Sequence, residues 1–317
     1  MRRFRFMKDK PKGTKVVAYP ERVPDLKPGK YGDGHPLDEA HYLECKIILK
    51  GDRFTSVQSF HEFAKFVRKA ADKSDVDFDT SEFEGRKPQI REVLFLDTKD
   101  FRLYNNAFIL RRRITYEDGF LVGDPEIVFK FRHPDMQTAA EMDVRPHISG
   151  DYKIKFKAEA LPLKDKTGSY RTLFSHNVEF PLSAVREKDR TSMATLLRVF
   201  PALRKLKTSA SDRIDLVNHT AVEEVLLDLG MLDFGKGVEA KANAAVWRTR
   251  GDQKQLVGEF SFQCKFQRRD ELHEKALNRA KKFFCSLQLI AKDWVALGTT
   301  KTGAVYRLKG NPPGSHE

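Results

Sequence analysis

The spacing of apolar residues along the chain predicts many short strands and a few longer helices. Residues 42–49 alternate between apolar and polar side chains, which is the two-residue period of a half-buried strand. Residues 56–74 instead repeat apolar side chains at the spacing of one helical face, from Phe60 to Ala71. By the same criterion, two further helices are predicted over 182–200 and 270–289.

The other predicted strands are short and follow one another with few helices between them. They lie at 92–98, 107–115, 126–132, 140–145, 152–158, 213–217, 222–229, 238–249 and 256–266. Such a run favours an antiparallel α+β architecture over alternating βαβ units. Residues 1–38 combine a basic start with clustered Pro and Gly, which predicts an extended arm. One domain is then predicted over 39–310, with a tail over 311–317.

The chain carries an excess of positive charge, with 58 Lys and Arg against 45 Asp and Glu among 317 residues. A net charge of +13 indicates that the protein attracts anions, whether nucleic acid, acidic lipid or phosphorylated metabolites. The three cysteines form no CxxC pair, which argues against a disulfide framework and a thiolate zinc site. No apolar run has the length of a membrane span or of a secretory signal, so we expect a cytoplasmic protein with no membrane partner.

The polar positions of the predicted strands share one face, and most of them are cations. Arg111 and Arg113 point to one face of their predicted strand, and Arg112 points to the other. Lys130 and Lys155 lie on the polar face of their own strands, opposite the apolar residues. A solvated sheet face is one explanation of this pattern. Like charges on neighbouring strands repel, however, so the other explanation is a sheet that curls around an anion. We predict a closed or nearly closed antiparallel β-barrel, a tunnel with a charged interior that is covered by helices.

Five segments of the chain follow one another in a recognisable order. They are YLECK at 42–46, FLDT at 95–98, ILRRR at 109–113, EFSFQCK at 259–265 and KTGAVYRL at 301–308. In this order they resemble motifs of the CYTH family of triphosphate tunnel metalloenzymes: an opening acidic motif, a strand ending in Asp-Thr, a Leu-Arg-x-Arg strand, a late acidic strand and a closing segment. The resemblance implies a tunnel of eight antiparallel strands that binds a triphosphate.

The resemblance and the strand parity together suggest a set of site residues. Matched motif positions imply phosphate contacts from six of them: Lys46, Arg111, Arg113, Lys130, Lys265 and Lys301. Parity and placement add four weaker candidates: Arg132, Lys155, Arg213 and Lys241. The family's cation ligands match Glu44 and Glu259, which implies Mg²⁺ or Mn²⁺ and a catalytic role for both. Tyr42, Ser261 and Gln263 stand where the family has acids, which counts against catalysis more than against binding.

These observations leave several functions open. The first expectation is hydrolysis of a triphosphate or short polyphosphate with a divalent cation, the substrate being tripolyphosphate, a nucleoside triphosphate or thiamine triphosphate. The alternatives are a tunnel that binds polyphosphate or nucleotide without turnover, or a basic nucleic-acid-binding protein, which is not favoured because no recognition motif is present. The phosphate-loop spacing GMLDFGK at 230–236 lacks the following Ser or Thr and is interpreted as a glycine hairpin. The Asp97-Thr98 pair is interpreted as a turn.

Overall fold

The computed structural model describes residues 25–187 and 190–314. The strands, in chain order, are β1 Tyr42–Leu49, β2 Asp77–Asp79, β3 Gln89–Asp97, β4 Phe108–Glu117, β5 Phe120–His133, β6 Lys153–Pro162, β7 Tyr170–Pro181, β8 Asp215–Leu216, β9 Val222–Asp233, β10 Glu239–Thr249 and β11 Gln255–Lys265. The α-helices are α1 Val57–Asp72, α2 Arg102–Asn105, α3 Met136–Ala140, α4 Met193–Val199, α5 Glu274–Ile290 and α6 Lys301–Tyr306.

Nine of the strands form a closed ring, in the order β9-β10-β11-β1-β6-β7-β5-β4-β3. The pairing of β3 with β9, which sets Val93 opposite Val222, closes the ring. The prediction of a closed barrel is therefore confirmed, with one correction to its strand directions. β1 and β6 run parallel, whereas every other neighbouring pair in the ring is antiparallel. A ring with an odd number of strands cannot be antiparallel throughout, so nine strands require such a pair.

Several elements differ between the sequence prediction and the structure. Residues 140–145 form no strand, because Asp135 accepts a hydrogen bond from Thr138 N at 2.7 Å and caps the short helix α3. Residues 182–200 are helical only at their two ends, and Ser192 caps the second piece, α4. The sequence prediction missed β7. The buried His176 interrupts its apolar alternation, because it takes an outward position that an apolar residue usually occupies.

Helices cover two sides of the ring with aromatic packing. On one side α1 and α5 pack against the outward residues of β11, with the Phe63 and Phe260 rings 5.6 Å apart and those of Phe262 and Phe283 5.5 Å apart. On another side Phe200, directly after α4, stacks on Phe129 at 4.2 Å. Outward strand positions are therefore buried under helices, as the prediction required. No helix among the described residues is both long and apolar enough to cross a membrane.

The described part of the predicted arm lies against the barrel without forming a helix or a regular strand. Tyr31 donates a hydrogen bond to the Ala140 carbonyl at 2.9 Å, and Asp33 forms an ion pair with Arg145 at 2.9 Å. The rest of the prediction for residues 1–38 falls on 1–24, outside the described residues, as do the last three residues of the predicted tail. The glycine hairpin is present between β9 and β10, where Gly235 and Gly237 have φ angles of 79° and 75°.

Aromatic residues fill one end of the barrel interior around a buried carboxylate. Tyr306 of α6 stacks on Tyr104 of α2 at 4.1 Å, and both lie near Phe95. Asp97 accepts hydrogen bonds from Leu103 N and Tyr104 N at 2.9 Å and from the Tyr306 hydroxyl at 3.1 Å. The carboxylate thus ties β3, α2 and α6 together, which favours the structural interpretation of the Asp97-Thr98 pair.

We expect Asp97→Asn to lower the free energy of unfolding by about 1.5–3 kcal/mol. The NH₂ group of the new amide would face N–H and O–H groups that now donate to the carboxylate, so some of these donors would lose their acceptor. Burial raises the pKa of Asp97 to about 6, so denaturation should be measured at pH 8, where the carboxylate is ionised. Asp151→Asn is the control, since this exposed side chain forms no hydrogen bond or ion pair with another described residue. Equal stabilities of the two variants would contradict the role assigned to Asp97.

Candidate functional site

A cavity of about 280 Å³ lies inside the ring, next to the aromatic end. Inward side chains of β1, β4, β5, β6, β7 and β11 line it, together with the start of α6. Its cations are Lys46, Arg111, Arg113, Lys130, Arg132, Lys155, Lys157 and Lys301. Its carboxylates are Glu44, Glu159, Glu179 and Glu259. Eight cations thus face four carboxylates, and the strand alternation explains why they share one space.

The structure brings most of the predicted site residues into this cavity. They are Glu44, Lys46, Arg111, Arg113, Lys130, Arg132, Lys155, Glu259 and Lys301. Three others do not line it and are corrected here. Arg213 precedes β8, outside the ring, and donates to Thr191. Lys241 pairs with Asp228 at 2.9 Å, and Lys265 is exposed at the last position of β11. Alternation along a strand therefore does not suffice to place a residue in the cavity when that residue lies near the end of its strand.

Glu159 of β6 is the most deeply buried acid of the cavity, with no exposed surface. Its carboxylate lies 3.1 Å from Lys46 Nζ, 2.9 Å from Lys130 Nζ and 3.0 Å from Arg132 Nη2. Burial would raise the pKa of this carboxyl, but the three cations, with Arg132 the strongest, hold the pKa well below its usual range. Glu159 is therefore the counter-ion around which the cations of β1 and β5 gather.

Glu44 and Glu259, the predicted cation ligands, both contact lysines. Glu44 Oε2 lies 2.7 Å from Lys46 Nζ and 3.4 Å from Lys157 Nζ. Despite burial, which opposes ionisation, Lys157 and Lys46 lower the pKa of Glu44 to about 2. Glu259 Oε1 lies 2.7 Å from Lys301 Nζ, and that ammonium also lies 3.2 Å from Glu224 of β9. Both acids are thus already paired with ammonium groups of the chain itself.

Arg111 is the cation of the cavity that no carboxylate neutralises directly. Its guanidinium forms no hydrogen bond or ion pair with any residue in the described part of the chain, and its Nε is buried without a partner. Burial, followed by the nearby charge of Arg113, lowers the pKa of Arg111 to about 10, so the side chain stays charged at neutral pH. The neighbouring Arg113 pairs with Glu126 at 2.8 Å. Burial likewise lowers the pKa of Lys130, with Arg132 adding to the effect.

Sequence reasoning missed four polar lining residues of β6 and β7. They are Lys157, Glu159, Asn177 and Glu179. The predicted strand at 152–158 ended one residue before Glu159, although the alternation continues through it. Lys157 already shared the parity of Lys155, which is the signal that could have found it. Phe174, Val178 and Phe180 alternate with Asn177 and Glu179, and this pattern could have revealed β7.

The donor set does not form a ready site for a divalent cation. Such an ion needs carboxylate oxygens that are free to bind it. Among the described residues, no group of three or more His, Cys, Asp or Glu is arranged to hold a metal. Of the four cavity carboxylates, Glu44, Glu159 and Glu259 contact the cations described above, and Glu179 pairs with Lys155. The expectation of Mg²⁺ or Mn²⁺ remains a prediction.

No family model and no curated protein matches the chain. Similar solved structures include a proposed adenylyl cyclase from Hippeastrum with a dominant triphosphatase activity, at TM-score 0.39 and 13% identity, covering 87% of this chain and 100% of that one. Another is a proposed adenylate cyclase from Bacillus halodurans, at TM-score 0.37 and 10% identity, covering 83% and 95%. A Pyrococcus horikoshii protein has TM-score 0.33 and 11% identity, covering 83% and 96%. These low scores assign no activity, and the fold assignment rests on the barrel itself.

We expect Glu159→Gln to lower the free energy of unfolding by about 3–5 kcal/mol, because the change leaves three buried cations without their shared counter-ion. Chemical denaturation at pH 7.5 measures this loss. Glu117→Gln is the matched control, since its exposed side chain at the β4 end has no ion pair with another described residue. A loss below about 1 kcal/mol, the range of surface ion pairs, would show that the cluster is held in some other way.

Proposed function

We propose that the barrel cavity binds a phosphate-rich anion, a triphosphate or a short polyphosphate. The observation that carries the proposal is the charge imbalance inside the cavity. Cations outnumber carboxylates eight to four, and Arg111 has no carboxylate partner among the described residues. An uncompensated charge in a partly buried site is unfavourable, so the site favours a ligand that brings negative charge with it.

The chemistry of the lining fits phosphate better than other anions. Arginine presents a planar fork that grips two phosphate oxygens at once, and lysine adds point charges. The cations extend from strands on several sides of the ring, so a chain of phosphoryl groups can contact more of them than a single phosphate can. They also face the inside of a closed barrel of limited volume, which disfavours the nucleic-acid alternative because a polymer needs an open basic surface.

The geometry supports binding more strongly than hydrolysis. Hydrolysis needs a group that positions or activates water, and all four cavity carboxylates are engaged by lysine or arginine. We therefore favour a tunnel that binds the anion without turnover over the predicted hydrolase, in which Glu44 and Glu259 would be catalytic. A phosphate-release assay on tripolyphosphate, ATP and thiamine triphosphate, with and without Mg²⁺ and Mn²⁺, separates the two. If wild-type protein releases phosphate and the Glu44→Gln and Glu259→Gln variants do not, hydrolysis is the function.

We expect Arg111→Ala to weaken tripolyphosphate binding by about 1.5–3 kcal/mol, because the change removes a charge-assisted contact. Titration calorimetry measures the affinity. Arg112→Ala is the matched control, since it removes the same group from the adjacent residue, which points away from the cavity. Wild-type protein should also melt at a higher temperature with tripolyphosphate present, because the ligand binds the folded state. Equal losses of affinity in the two variants, or no binding by wild type, would contradict the proposal.

A further inference from the structure

Two lysines occupy the surroundings of the two acids that were predicted to hold a divalent cation. Lys157 Nζ lies 3.4 Å from both carboxylate oxygens of Glu44 and 2.7 Å from Gln263 Oε1. It also lies 5.8 Å from the centre of the Tyr42 ring. Tyr42 and Gln263 are two of the positions at which the sequence departs from the acidic pattern. Where carboxylates are replaced by neutral groups, an ammonium group is therefore present.

Lys301 is held equally firmly at the other acid. Its ammonium lies 2.7 Å from Glu259 and 3.2 Å from Glu224, and 4.8 Å from the centre of the Trp247 ring. The side chain starts at the first residue of α6, whose cap Thr300 accepts a hydrogen bond from Gly303 N at 2.9 Å. Two ion pairs and a cation–π contact fix this ammonium in place. Lys301 is therefore an ordered and largely buried residue of the site.

We propose that Lys157 and Lys301 are built-in counter-ions for Glu44 and Glu259, so that the cavity takes up a phosphate chain without a divalent cation. The inference rests on the proposed anion binding and adds the means of charge compensation. A divalent cation at either carboxylate would have to displace the ammonium or lie beside it, where two positive charges repel. The two ammonium groups belong to the chain and are already largely removed from water in the folded protein, so they serve both in the empty and in the loaded site.

The proposal also explains how the cavity stays stable when it is empty. Four glutamates facing one another without cations would repel, and each would favour protonation. With Lys157 and Lys301 in place, Glu44 and Glu259 are neutralised, and the remaining cations keep an excess of positive charge for the ligand. Removing the two ammonium groups should consequently weaken phosphate uptake in the absence of metal and make it depend on a divalent cation that arrives with the phosphate.

The test uses the full chain, inorganic tripolyphosphate and two divalent cations. Calorimetry of wild-type protein should give its highest tripolyphosphate affinity in chelator, and excess Mg²⁺ should not increase it. Wild-type protein alone should not bind Mn²⁺, as followed by the electron paramagnetic resonance signal of the free ion. In Lys157→Met/Lys301→Met, tripolyphosphate affinity in chelator should fall about tenfold or more and recover with Mg²⁺. Lys265→Met, an exposed lysine outside the cavity, should behave as wild type.

The outcomes separate this inference from the function on which it rests. Absence of tripolyphosphate binding in both chelator and Mg²⁺ overturns the proposed function itself. Binding by wild type that requires Mg²⁺, or Mn²⁺ binding by wild type alone, keeps the anion site and overturns the counter-ion role. A folded double variant that binds tripolyphosphate in chelator as tightly as wild type also overturns it. If the double variant does not fold, as circular dichroism would report, the wild-type comparison in chelator and Mg²⁺ decides.

Discussion

The closure of nine strands by the pairing of β3 with β9 is the constraint on which the rest of this molecule depends. Once the sheet is a ring, every second residue of each strand points into a common interior, and the others must be covered from outside. The helices α1, α4 and α5 meet the second requirement with aromatic contacts. The interior is divided between an aromatic end around Tyr104 and Tyr306 and a charged end around Glu159. The odd strand number also fixes the parallel pair of β1 and β6.

Charge balance within that interior links stability to binding. Glu159 contacts Lys46, Lys130 and Arg132, and it holds cations of two strands, β1 and β5, close together. The balance is incomplete, because Arg111 has no acid to neutralise it among the described residues. A fold built only for stability has no use for such a side chain, since a buried unpaired charge is destabilising. The imbalance is the observation behind the proposal that a multivalent anion completes the charged end of the cavity.

The aromatic end connects the fold to the site through a single short helix. Tyr306, near the end of α6, is held by the Tyr104 ring and by Asp97, and this anchoring places Lys301 at the cavity. A residue far along the chain thus supplies a cation to a site built from earlier strands. Loss of the Asp97 contacts would loosen α6 and displace the ammonium that faces Glu259. The contacts of Asp97, Tyr104 and Tyr306 are consequently coupled to the electrostatics of the site, although the two lie in different parts of the interior.

The sequence by itself determined which side chains face inward, because alternation along a strand is a local property. Arg111, Arg113 and Lys130 could be assigned to one lining from their parity, and motif order extended this to the prediction of a barrel with a charged interior. Only the tertiary structure decided that β1 lies beside β6, that Lys157 meets Glu44, and that Lys241 and Lys265 lie outside the cavity. These facts depend on strand order and register around the ring, which join residues more than a hundred positions apart. No local pattern specifies such pairs, because their energy exists only after the ring has closed.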